Sequence, residues 1–229
     1  MGKFKHKPID LGYTDLETET NKSGRLYTSP SGTKYPSITT VLGHLTKNSI
    51  LEWRQRVGEE TANRISRQAC IQGTTVHETV EKYLNNEPDV ITRETPYNIK
   101  QLFNALKVPL DENVGEVLLQ EAPLYSDHLG VAGRVDLIAE WNGKVSCIDF
   151  KTSRRVKTRD MIHTYFMQGA AYAIMVEERT GIPVSQVVIA MCVEGQKDGL
   201  VFIEKRDDWV PQLRDAIENY RKDAVFGNV

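Results

Sequence analysis

The sequence predicts a mixed α/β (α+β) fold, with a central mixed sheet flanked by helices and a helical lobe N-terminal to it. Three observations carry this. Residues 38 to 108 place apolar side chains mainly at helical spacing, whereas from Gly115 the period changes to two. The stretch Gly133–Thr152, GRVDLIAEWNGKVSCIDFKT, reads as two strands joined at Asn142-Gly143, a strong hairpin signal. Met161 to Thr180 then reads as a helix, ahead of two more strands and a last helix.

The elements follow in order. Residues 1–24 are Lys-rich, then Glu/Thr-rich, and read as an extended, partly mobile arm. Arg25–Thr28 and Thr33–Tyr35 flank Ser29-Pro30-Ser31-Gly32 as a small hairpin. Ser37 is a candidate N-cap for a short helix over Ile38–Leu42. A longer helix is expected from about Ser49 to Cys70, with Gly58 as a candidate break. Gly73–Leu84 forms the next helix, with Val76, Val80, Tyr83 and Leu84 as its buried stripe. His77 and Glu81 lie four apart and share a face beside that stripe. Residues 85–97 read as a loop, and 98–108 as a helix ended by Pro109.

Glu116–Tyr125 reads as a strand with Glu121 inside it, followed by the hairpin strands Gly133–Ile138 and Lys144–Lys151. The helix to Thr180 is capped by Gly181 and stopped by Pro183. Val184–Val193 is an apolar strand of the buried kind, Leu200–Glu204 its hairpin partner, and Asp208–Phe226 an amphipathic closing helix.

A formal net charge of −2 does not announce nucleic-acid binding, so any basic surface must be local. Arg54, Arg56, Arg64 and Arg67 form either a solvated helix face or a phosphate track. Arg154, Arg155, Lys157 and Arg159 make a basic loop. The cysteines, Cys70, Cys147 and Cys192, are far apart, which argues against a zinc ribbon or a disulfide framework and fits a reducing compartment. No apolar run suffices to span a bilayer, and the start lacks the apolar stretch of a signal peptide. A soluble, intracellular protein with no membrane partner is expected, in the cytoplasm, or the host cytoplasm if viral.

The chemistry concentrates in the hairpin. Strand alternation points Asp149 and Lys151 the same way, with Phe150 on the other face. An antiparallel partner brings Asp136 close to Asp149. Both are charges set within apolar runs, Val-Asp-Leu-Ile and Val-Ser-Cys-Ile-Asp. Two partly desolvated carboxylates repel unless a cation lies between them, and a hard divalent ion, Mg²⁺ or Mn²⁺, meets that need. Lys151 then offers a positive charge to an anionic substrate. A surface Asp–Lys salt bridge is the plainer alternative.

These residues stand in blocks that resemble the PD-(D/E)xK nuclease superfamily, within it the RecB-type exonuclease branch. Gly73-Thr74-Thr75-Val76-His77 is similar to its helical G-x-x-x-H motif, and Gly133-Arg134-Val135-Asp136 to its G-x-x-D motif. Asp149-Phe150-Lys151-Thr152 is similar to D-[FY]-K-T, and Gln168-Gly169-Ala170-Ala171-Tyr172 to Q-x-x-x-Y. Tyr35–Leu42 followed by Leu51-Glu52-Trp53 resembles the entry segment of the mitochondrial exonuclease group and its phage relatives, in which a helical lobe helps to enclose single-stranded DNA.

The resemblance implies a restriction-endonuclease-like core over 113–229, preceded by a helical lobe over 25–112 that contributes His77. It implies Asp136, Asp149 and Lys151 as the catalytic set. Metal ligands would be His77, Asp136, Asp149 and the Phe150 carbonyl, with Glu121 as an outer ligand and Glu81 holding His77. Gln168, Tyr172, Arg134, Arg154 and Arg155 would meet substrate, although Tyr172 also suits a core position. Trp53 suits either base stacking or the core. Some relatives hold an iron–sulfur cluster on four cysteines, and three unclustered ones predict none here. The expected activity is metal-dependent hydrolysis of DNA from single-stranded ends in replication, repair or recombination, with proteins of those processes as partners. A flap-type endonuclease and an inactive nucleic-acid-binding subunit are the alternatives. A small-phosphate hydrolase lacks a Gly-rich phosphate loop.

Overall fold

The computed structural model describes residues 2–225; Met1 and residues 226–229, including Phe226 at the expected end of the last helix, lie outside them. A six-stranded mixed sheet runs through the molecule in the order β1-β5-β6-β7-β8-β9. Its strands are β1 (Lys5–His6), β5 (Val114–Ser126), β6 (Val131–Trp141), β7 (Lys144–Ser153), β8 (Gln186–Val193) and β9 (Leu200–Lys205). A three-stranded sheet is formed by β2 (Glu17–Asn21), β3 (Gly24–Thr28) and β4 (Lys34–Pro36).

Helices cover both faces of the large sheet. α4 (His163–Thr180), α5 (Val210–Val225) and the first turns of α1 (Ile38–Val57) pack on one face, around Val135, Ile138, Cys147 and Ile189. The C-terminal half of α2 (Glu59–Leu84) and α3 (Tyr97–Asn113) pack on the other, around Leu137, Ile148, Phe150 and Val188. α4 is the crossover that makes β7 and β8 parallel neighbours. The expected Asn142-Gly143 turn forms, with both residues at positive φ (53° and 73°), as a tight primed hairpin turn requires. Among the described residues no helix is long and apolar enough to cross a membrane.

The structure revises four local expectations. The first 24 residues are docked rather than free: Phe4 is buried against Tyr83, and Lys5–His6 pair with Glu116–Val117. Composition hides this, because the strand Glu17–Asn21 exposes every side chain and joins the structure through its backbone. The short helix from Ile38 continues to Val57, started as expected by Ser37, whose Oγ accepts the Thr40 N–H at 3.0 Å. The break falls at Gly58 (φ +85°), not at residues 70–73, so one helix of about 39 Å runs from Glu59 to Leu84. Finally, α3 passes through Pro109 to Asn113. Proline cannot bond the Ala105 carbonyl, and the Gly199 N–H takes that acceptor from β9's approach at 3.2 Å. The packing also crosses the 112/113 boundary drawn from the sequence, since Ile38, Val41, Val76 and Val80 belong to the cores on the sheet.

Candidate active site

Strand register assembles the acidic residues. Gln120 pairs with Leu137 and Ala122 with Val135, so Glu121 lies opposite Asp136 across β5 and β6. The β6–β7 pairing ends at Leu137–Ile148, so Asp136 and Asp149 stand side by side just past its end, where the Phe150 N–H turns to the Asp136 carboxylate. Glu121 adopts φ +46°, a left-handed conformation unusual for a non-glycine residue inside a strand. From the other side α2 lays His77 onto these strands, its ring edge-on to that of Phe150 at 6.1 Å.

Two linked clusters result. In the first, His77, Glu121 and Asp136 each offer one ligand atom, and those atoms all lie within 4.8 Å of one another. His77 Nδ1 is 3.6 Å from Asp136 Oδ2, and the Phe150 N–H donates to that same oxygen at 2.8 Å. In the second, Lys151 Nζ lies 2.5 Å from Asp149 Oδ2. Asp149 is only 1 % exposed; the Lys151 ammonium meets its Oδ2, while Oδ1 has no hydrogen-bond donor among the described residues. Buried carboxylate oxygens without donors are costly, and a divalent cation would satisfy them. The trio's donor set, two carboxylates and one imidazole, fits a hard divalent metal ion.

The electrostatics agree with a site short of positive charge. Burial pushes Glu121 up to about 7, reinforced by the charge of Asp136. Burial likewise lifts Asp149, with Lys151 opposing and Asp136 adding to the rise. Burial also acts to raise Asp136, but His77, Lys151 and the Phe150 N–H outweigh it and hold that carboxyl below its usual range. Burial opposes the charge on His77 and Lys151, yet the surrounding carboxylates raise both.

The remaining expected residues divide. Gln168 reaches the site, its Oε1 accepting from Lys151 Nζ at 3.4 Å. Glu81 lines a cleft of about 400 Å³ together with Thr74, His77, Glu78, Glu121 and Asp136, but the contact made by His77's ring nitrogen is to Asp136, not Glu81. Arg154 and Arg155 line a larger groove, described below. Two further expected substrate contacts are engaged within the protein. Tyr172 is 2 % exposed and packs beneath Gly133, where a Cβ would come within 2.7 Å of its ring, so it is a core residue. Arg134 donates to Asp15 at 2.7 Å and to the Glu121 carbonyl, and so braces the bend at Glu121.

Sequence reasoning missed Tyr165, whose ring centroid is 5.0 Å from Lys151 Nζ. The available signal was its place three residues before Gln168 on one helix face. The cleft also brings in Glu78, one position past His77, which sequence reasoning did not single out. The groove beside the site has a volume of about 800 Å³. Trp53, Arg56 and Val57 of α1 and Ile65, Ala69 and Gln72 of α2 form one wall; Thr152, Ser153, Arg154, Arg155, Lys157 and Glu194 form the other.

Comparison with known proteins agrees with this geometry. Human mitochondrial genome maintenance exonuclease 1 is 28 % identical over 182 residues, covering 72 % of this chain and 50 % of that protein. The chain thus spans about half the length of the curated relative it matches. The family model of the PD-(D/E)XK nuclease superfamily matches residues 50–227, a span that includes every side chain of both clusters. Strand register, buried acid pair and family match lead to one conclusion: the chain belongs to the PD-(D/E)XK nuclease superfamily.

Proposed function

We propose that this protein is a metal-dependent DNA exonuclease that hydrolyses phosphodiester bonds from single-stranded ends, in DNA replication, repair or recombination. The observation that carries the reading is the convergence of His77, Glu121 and Asp136 beside the buried Asp149–Lys151 ion pair, whose carboxylate keeps one oxygen without a donor among the described residues.

His77, Glu121, Asp136 and Asp149 would hold Mg²⁺ or Mn²⁺, with the Phe150 carbonyl as a further oxygen. Such an ion supplies charge neutralisation at phosphate and an activated water at neutral pH. The chain's own groups do the rest. The Phe150 N–H fixes the Asp136 carboxylate. Lys151 Nζ, kept charged by Asp149 and Asp136, orients the attacking water and stabilises charge developing on the phosphate. Gln168 steadies Lys151 from α4. The groove supports a single strand as substrate, since Arg56, Arg154 and Arg155 offer charge to phosphates and Trp53 a stacking surface. The word exonuclease in the relative's name supports attack at ends. Replication or recombination proteins belong to the same reading as partners.

The test compares end-labelled linear and circular single-stranded DNA of equal length, with Mg²⁺, Mn²⁺ or EDTA. Degradation of the linear strand alone, only with metal, is expected, and Lys151→Ala should lower the rate by about 10²–10³. Equal cutting of the circle would replace the exonuclease reading with an endonuclease one. Binding without cutting would leave a nucleic-acid-binding subunit.

A further inference from the structure

Tyr165 lies on the first turn of α4, half-buried against the core that covers the sheet. Two ammonium groups converge on it. Lys151 Nζ lies 5.0 Å from the ring centroid, and so does Lys157 Nζ. Lys157 Nζ also donates to the Tyr165 hydroxyl at 2.8 Å. The two lysines belong to different parts of the molecule. Lys151 is paired with Asp149 in the reaction centre, whereas Lys157 lines the groove. The ring thus meets Lys151, and the hydroxyl at its edge meets Lys157.

We propose that Tyr165 is a positioning residue that couples the groove to the reaction centre. Its ring fixes the direction of Lys151 Nζ, and its hydroxyl fixes Lys157 in the groove wall. The proposal rests on the nuclease reading and adds a separable division of labour inside one side chain. Removing the hydroxyl frees Lys157 alone. Removing the ring frees both lysines. Gln168, at 3.4 Å, is the other neutral group holding Lys151 and is not expected to replace the ring.

The experiment measures steady-state cleavage of an end-labelled single strand by the wild type, Tyr165→Phe and Tyr165→Leu, with thermal melts of each. Tyr165→Phe should raise KM about threefold, in proportion to one charge-assisted hydrogen bond on a partly exposed group, and keep kcat within about twofold. Tyr165→Leu should show the same rise in KM and a further fall in kcat of about tenfold, the scale of a partly desolvated cation–π contact. A merely structural role would lower the melting point of Tyr165→Leu without separating KM from kcat. Should Tyr165→Leu fail to fold, Lys157→Met alone and combined with Tyr165→Phe decides the matter: the KM effects must not add. Wild-type kcat and KM in both tyrosine variants, or additive Lys157 and Tyr165 effects, would overturn the proposal while the nuclease reading stands. A wild-type protein that cuts nothing would overturn both.

Discussion

At the scale of single residues, the account turns on carboxylates held where they are unfavourable. Glu121 faces Asp136 across the ladder and carries a left-handed backbone at φ +46°. Both features cost stability in the metal-free protein, and both serve to aim the carboxylate at the cleft. Glu121→Gln removes one of the like charges. At pH 8, above the value near 7 to which burial lifts it, this variant should melt higher than wild type in EDTA, by about 2–4 °C for each kcal/mol of repulsion relieved. The rise in melting point on adding Mn²⁺ should shrink, and cleavage should slow. Paired melts with EDTA and Mn²⁺ check this, and a lower melting point for the variant in EDTA would contradict it. The residues readable from sequence were those whose charge interrupts an apolar run, Asp136 and Asp149, or closes a spaced motif, His77 and Lys151. Tyr165 was not readable, because an aromatic at helical spacing reads as core. For Tyr172 the core position was legible, but a motif position does not reveal the glycine that covers it.

At the scale of elements, the joint between α1 and α2 decides where the groove wall stands. Gly58 adopts φ +85° and ψ 147°, a conformation that strains any residue with a Cβ. Across the joint Arg54 meets both oxygens of Glu59, at 3.0 and 2.8 Å, and also bonds Asn63. Arg54 is therefore a clamp on the bend, while Arg56 faces the groove. Gly58→Ala should cost about 1–3 kcal/mol through backbone strain. Its melting point should fall by about 3–10 °C at the usual scaling for a chain of this size. Strand binding should weaken as the Trp53–Arg56 wall shifts, while Mn²⁺ binding, made by residues 77 to 149, should hold. Unchanged strand binding would show that the wall does not touch substrate. The sequence named Gly58 as a candidate break, since glycine there has a direct backbone reason. It could not show that the helix continues through residues 70–73 or Pro109, because those outcomes depend on the sheet beneath α2 and on Gly199, just before the distant strand β9. The pairing of Lys5–His6 with β5 was hidden likewise, being a backbone interaction across more than a hundred residues.

At the scale of the whole molecule, the sheet brings the acids together and the two helical layers enclose them. β5 and β6 set Glu121 opposite Asp136, and β7 brings Asp149 to the end of its pairing with β6. α2 supplies His77 from one layer, and α4 supplies Gln168 and Tyr165 from the other. The later strands and helices and their succession along the chain were legible from periodicity, because those strands alternate or run apolar in the usual way. The division of helices between the two faces was not, because it depends on which stripe meets which side of the sheet. The central claim is that this convergence is a metal site served by, but not made of, Lys151. The most direct measurement is Mn²⁺ binding, followed by electron paramagnetic resonance, for wild type, Asp136→Asn and Lys151→Met. The account predicts binding by wild type and by Lys151→Met, and a large loss of affinity in Asp136→Asn. No binding by wild type, or equal binding by all three, would contradict it.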